Sequence, residues 1–106
     1  FTPPIEGLHE TGFITNEEVF HLKEFPKRLI VLGAGAIGVE LGQSFSRFGS
    51  KVTVVEMADR ILIKEDEEVS ALMEKILREE GLEILTSAKA VKTKKDSAGK
   101  KIIAIE

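Results

Sequence analysis

"LIVLGAGAIGVELGQSFSRFGSKVTVVE", residues 29–56, decides the fold. It carries glycines at 33, 35 and 38, spaced G-x-G-x-x-G. Three glycines at that spacing arise easily by chance, so their context has to carry the reading. Before them, residues 28–32 form a short run of Leu, Ile and Val, the pattern of a strand buried on both faces. After them, 37–48 reads as a helix, with Ile37, Leu41, Phe45 and Phe48 on one stripe. Gly49 stops that helix. Residues 51–56, "KVTVVE", read as a second strand ending in Glu56, 18 positions after Gly38. A strand, a glycine turn opening a helix, and an acidic residue about 20 positions on together make a dinucleotide-binding fingerprint.

Each residue type has a physical reason. Gly33 permits the tight turn out of the strand, Gly35 lets a pyrophosphate approach the backbone, and Gly38 lets helix and strand pack closely. Gly42, one turn later, extends the close contact, although glycine inside a helix costs about 1 kcal/mol against alanine. The helix N-terminus offers N–H groups and a positive dipole end to phosphate. The loop lacks the G-K-[S/T] of an ATP-type phosphate loop. The Glu56 carboxylate accepts hydrogen bonds from the adenosine ribose hydroxyls and repels a 2′-phosphate, which favours NAD(H) over NADP(H). Arg60 could soften that preference, but reads as a surface arginine with nothing to fix its direction.

Working outward, 66–80 is the clearest helix. Val69, Leu72, Met73, Ile76 and Leu77 form its apolar stripe, Asp66 stands at the cap position, and Gly81 ends it. Residues 82–85 read as a third strand, and 89–95 with 101–105 flank "DSAG" as a hairpin. At the other end, a turn-rich linker covers 1–14. Asn16 can cap a short helix over about 17–22, which Pro26 closes. The expected fold class is therefore α/β: a Rossmann-like parallel sheet with flanking helices plus a C-terminal β-hairpin.

The chain is 42% apolar and 31% charged, with a net charge of −3. That mild acidity argues against nucleic acid or an anionic membrane as main partner. Carboxylates concentrate in 65–83, and six lysines against one aspartate in 89–101. Both runs read as solvated surface. With no cysteine, the chain can build neither a disulfide nor a dithiol redox centre. No apolar run approaches the roughly 20 residues of a membrane span, and no signal peptide is visible, so a cytoplasmic location is expected. His9 and His21 have no second metal-type ligand at a helical or hairpin spacing, so no metal site is expected. The chain starts without Met and ends in a strand-like run, as a domain of a longer protein would.

Three segments carry a family resemblance: "PPIEGL" (3–8), "GFITNEEVFHLKEFPKRLIVLGAGAIGVELGQSFSRFGSKVTVVE" (12–56) and "DRILIKEDEEVSALMEKILREEGLEIL" (59–85). They resemble the NAD-binding domain of the flavin-dependent pyridine nucleotide–disulfide oxidoreductases, which include dihydrolipoamide dehydrogenase and mercuric reductase. The residues leave those two open. The resemblance implies one NAD(H)-binding domain over 1–106, part of a longer FAD-dependent enzyme in which NADH gives a hydride to the flavin. It places Gly33, Ala34, Gly35, Ala36, Ile37 and Gly38 around the pyrophosphate, and Glu56 and Met57 by the adenosine ribose. It places Val91 at the adenine and Glu40 facing the nicotinamide end. Ala36 stands where some relatives carry a gating tyrosine, and Ile63 where the family often has proline. FAD would be bound mainly outside this chain, by a domain that also carries a C-x-x-x-x-C pair. A dimerisation domain would make the parent a homodimer. The chain alone is expected to bind NADH weakly and to turn over nothing. The alternatives are a related flavoprotein without a redox disulfide, of NADH oxidase or ferredoxin reductase type, and a stand-alone NAD(H)-sensing module.

Overall fold

The computed structural model describes residues 5–7, 26–95, 97 and 101–106. The expected linker falls largely outside them, as do the 17–22 helix, both histidines and most of the "DSAG" turn. The described residues fall into two compact units, one within 23–88 and one holding 89–106 and the N-terminal residues.

The larger unit alternates strand and helix as expected: β1 (Arg28–Leu32), α1 (Ala36–Arg47), β2 (Lys51–Val55), α2 (Glu67–Glu79) and β3 (Glu83–Leu85). The strands form one parallel sheet in the order β1-β2-β3. Both crossovers step in the same direction, so right-handed connections put both helices on one face. Side chains that face the helices are Leu29 and Val31 from β1, Val52 and Val54 from β2, and Ile84 from β3. They pack with Val39, Ile61, Leu77 and Leu82. The opposite face of β1 is open, with Ile30 41% and Leu32 36% exposed. The expectation of a first strand buried on both faces is thus corrected: among the described residues, β1 pairs only with β2 and has a helix layer on one side.

Both helices end on the same device. Gly49 (φ +107) and Gly81 (φ +102) take the left-handed conformation just past α1 and α2. At the end of α1, Ser50 N–H donates to the Phe45 carbonyl at 2.9 Å and Gly49 N–H to Ser46 at 3.0 Å. At the end of α2, Leu82 N–H donates to Leu77 at 3.1 Å and Gly81 N–H to Arg78 at 3.0 Å. These are paired Schellman bonds, and buried Leu77 and Leu82 supply the apolar contact that accompanies them. Asp66 occupies the N-cap of α2 but makes no side-chain cap bond; Glu67 and Glu68 supply the negative charge of the first turn.

The face of α1 keeps the middle of the expected stripe, with Phe45 packed against the core and Leu41 half-buried, and departs from it at the ends. Ile37 is 58% and Phe48 80% exposed, whereas Val39 and Gly42 are buried. Glycine contributes to this: α1 comes close to the glycine turn and sheet at Gly38 and Gly42, and Val39 between them is buried. In α2 the inward residues are Ser70, Met73 and Leu77, while Val69 and Leu72 stay exposed. The smaller unit is an antiparallel hairpin, β4 (Ala90–Lys95) with β5 (Lys101–Ile105), bulged between Ala90 and Lys92. Glu6 bridges to Lys92, and its carbonyl accepts the Thr93 N–H at 2.7 Å.

Candidate functional site

Register places the site. Leu32 pairs with Val55, and Val55 with Leu85, so the three strands end level. The ladder continues one step, with Gly33 N–H donating to Val55 and Glu56 N–H to Leu85, both at 2.8 Å. The glycine turn and Glu56 are therefore neighbours at the carboxyl edge of a parallel sheet, where ligands of open α/β sheets bind.

Each glycine meets a different demand. Gly33 has φ +103, which only glycine adopts freely. A Cβ on Gly38 would lie 2.4 Å from the Gly33 carbonyl oxygen and 3.2 Å from a Val31 methyl. Gly38 is therefore required for the helix to sit on the turn. A Cβ on Gly42 would meet Val52, Leu82 and Val31 at 3.4–3.7 Å, ordinary contact, so closeness there is compatible with alanine. Gly35, the N-cap of α1, has φ −76 and nothing within 4 Å of where a Cβ would stand. The first turn of α1 has no side-chain cap and no acidic residue.

Half-buried Glu56 is held on both carboxylate oxygens. One accepts the Ala34 N–H at 2.8 Å, the other the Ala58 N–H at 2.9 Å. A carboxylate offers about four lone-pair sites, so two stay open for other donors. Ala34 is 1% exposed, and its carbonyl accepts the Leu62 N–H at 2.8 Å. Gly33, Gly35, Ala36, Ile37, Glu40 and Met57 are exposed at or near this edge, and Gly38 is half-buried. Val91 lies half-buried in β4, in the other unit.

Arg60 is fixed rather than free. Its guanidinium donates to the Ile63 and Glu65 carbonyls at 3.1 and 3.2 Å and pairs with Glu67 at 3.3 Å. The arginine is thereby committed to folding the β2–α2 loop. Away from the turn, Arg47 and Gln43 on α1 donate to Glu80 at the end of α2. The hydrogen bonds from Arg47, then Gln43, hold the Glu80 carboxyl below its usual range. The same hydrogen bond and charge raise Arg47. Among the described residues, no three His, Cys, Asp or Glu side chains come together to hold a metal ion, and no helix is long and apolar enough to cross a membrane. Ala34 lies within the glycine motif, whereas the Ala58 amide that holds Glu56 and the Leu62 N–H that holds the Ala34 carbonyl are signalled by no sequence motif.

Comparison with known proteins agrees with this geometry. Residues 1–105 match the family described as pyridine nucleotide-disulphide oxidoreductase. Mercuric reductase of Bacillus cereus is 39% identical over 100 residues, covering 94% of this chain and 16% of that protein. Dihydrolipoyl dehydrogenase of Acholeplasma laidlawii is 42% identical over 94 residues, covering 85% of this chain and 28% of that protein. Among solved structures, the Cu(II) complex of a mutant of the HOCl-induced flavoprotein disulfide reductase RclA from Escherichia coli superposes with a TM-score of 0.91. It is 34% identical, over 100% of this chain and 24% of that one. This chain thus spans 16–28% of the length of these relatives. The strand–glycine turn–helix unit ending in Glu56, and these matches across nearly every residue, show that the chain belongs to the pyridine nucleotide-disulphide oxidoreductase family.

Proposed function

We propose that residues 1–106 are the NAD(H)-binding domain of a longer FAD-dependent oxidoreductase of mercuric reductase or dihydrolipoamide dehydrogenase type. The observation that carries this is Gly35. Beyond the preference for glycine over alanine at an N-cap, worth about 1 kcal/mol, the protein itself makes no demand for it: φ is ordinary and the space for a side chain is open. A ligand against the backbone supplies the missing reason. The residues fit a pyrophosphate there. Gly33, Gly35, Ala36, Ile37 and Gly38 present backbone and a helix N-terminus, with Ala34 beneath them.

Glu56 takes the ribose. Its two backbone bonds aim the carboxylate and leave acceptor capacity for the ribose diol. Met57 follows it at the same edge, and Glu40 with Ala36 marks the nicotinamide end. With Arg60 committed to its loop, nothing in the described site offers a cation to a 2′-phosphate, so NAD(H) is preferred over NADP(H). NAD(H), when bound, supplies a hydride, and FAD, held outside this chain, is its acceptor in the parent. The chain's own part is to bind and orient the dinucleotide; the final electron acceptor is read elsewhere. Replacement Gly35→Ala is the test. It should change folding stability by no more than about 1 kcal/mol and weaken NADH binding at least about tenfold, a loss of about 1.4 kcal/mol. Unchanged NADH binding in a folded Gly35→Ala protein overturns the proposal.

A further inference from the structure

Leu62 has φ +49, a left-handed backbone that a leucine side chain disfavours. Such a residue persists only where its surroundings over-determine it. Here its N–H donates to the Ala34 carbonyl and its carbonyl accepts the Glu65 N–H, both at 2.8 Å. The residue before it, Ile61, is fully buried, and its carbonyl accepts the Ser70 hydroxyl at 2.5 Å. Ser70 is itself 1% exposed and stands on the inward face of α2, where an apolar residue would be the ordinary choice. A hydroxyl there is costly to bury unless bonded, and its bond goes to this loop. Arg60 closes the far side of the loop on the Ile63 and Glu65 carbonyls.

These bonds form one continuous path: Ser70 to Ile61, Leu62 to Ala34, and Ala34 to Glu56. Ala34 is held from both sides, by its N–H and by its carbonyl. It is the buried residue of the glycine turn, flanked by Gly33 and Gly35, neither of which has a side chain to fix it. We propose that Ser70 is a positioning residue for the nucleotide turn, acting through Ile61 and Leu62 on Ala34. The proposal rests on the reading that the turn receives the pyrophosphate. It adds that the β2–α2 loop presets the turn before ligand arrives.

The test compares the wild-type protein with Ser70→Ala, Leu62→Pro and Leu62→Gly. Ser70→Ala removes the hydroxyl, Leu62→Pro removes the N–H together with the φ +49 conformation, which proline cannot adopt, and Leu62→Gly keeps the N–H in a conformation glycine accepts. ADP-ribose reports the pyrophosphate site and adenosine the ribose site alone, each by NMR titration. Amide exchange at Ala34 and Leu62 in nucleotide-free protein reports the brace itself. In Ser70→Ala, ADP-ribose affinity should fall roughly 3–10-fold, the worth of one hydrogen bond. Adenosine affinity should fall less than ADP-ribose affinity, because Ala58 still holds Glu56, and exchange at Ala34 and Leu62 should rise together. Leu62→Gly should keep ADP-ribose binding within about twofold. If Ser70→Ala only lowers the melting temperature, with exchange and ADP-ribose binding unchanged, Ser70 is merely structural and the proposal falls. If Leu62→Pro does not fold, Ser70→Ala decides alone. If the wild-type protein binds no ADP-ribose, the nucleotide reading fails, and the exchange data still decide whether Ser70 braces Ala34.

Discussion

Replacing Glu56 with glutamine isolates the feature that joins the glycine turn to the second strand. The carboxylate now accepts Ala34 N–H at 2.8 Å and Ala58 N–H at 2.9 Å, one on each oxygen. An amide has one acceptor oxygen and one donor NH2 group. In either orientation of the introduced amide, one backbone N–H meets a donor instead of an acceptor. The protein loses one charge-assisted hydrogen bond, worth roughly 1.5–3 kcal/mol, and leaves a half-buried donor unmet. For a domain of this size about 1 kcal/mol moves the midpoint by roughly 4–8 °C, so the melting temperature should fall by about 6–24 °C. The assay is thermal unfolding followed by circular dichroism at neutral pH without nucleotide. Glu83→Gln is the control: Glu83 is exposed and accepts the Thr53 hydroxyl, which an amide oxygen can also accept. An ordinary surface substitution stays within about 0.5 kcal/mol. A Glu56→Gln midpoint indistinguishable from that of Glu83→Gln would refute the reasoning, because it would mean that the two backbone bonds do not hold the turn.

Two glycines of α1 should behave oppositely. Gly38→Ala forces a Cβ to 2.4 Å from a backbone oxygen and should cost roughly 2–4 kcal/mol, measured by urea unfolding. Gly42→Ala meets only ordinary contacts and should be neutral or stabilising by up to about 1 kcal/mol in the same assay. Gly81→Ala puts a β-carbon on a residue at φ +102 and should cost about 1–2 kcal/mol, again by urea unfolding. The Arg47–Glu80 pair sets a pH dependence. Glu80 has a folded pKa below its ordinary 4.5, so its contribution is present above that value and is lost as pH falls through the lowered one. Acid titration of wild type and Glu80→Gln should diverge above that window and converge below it, and salt should narrow the gap.

The parts legible in the sequence were those governed by local pattern and handedness. The glycine spacing, Glu56 closing the second strand, and the stop glycines at 49 and 81 need only neighbouring residues to be read. The parallel order follows from alternating elements and right-handed crossovers. What was hidden depends on three-dimensional closeness. The stripe Ile37, Leu41, Phe45 and Phe48 ranks residues by size, but α1 comes close to the turn and sheet at Gly38 and Gly42, with Val39 buried between them and Ile37 and Phe48 left out. Leu62 at φ +49 contradicts leucine's own preference, so no propensity argument finds it. Arg60 has no helical or hairpin spacing to its acceptors, because they are loop carbonyls. Glu56 could be put forward from the sequence as the acidic residue closing the second strand, whereas its bonds to Ala34 and Ala58 exist only once the turn and loop are folded.

The central claim is that this glycine turn and Glu56 form a site for NAD(H). Titrating NADH and NADPH into the protein while following nicotinamide fluorescence tests it most directly. NADH should bind tighter, with the preference shrinking in Glu56→Gln. Absence of NADH binding, or equal affinity for the two nucleotides, would contradict it.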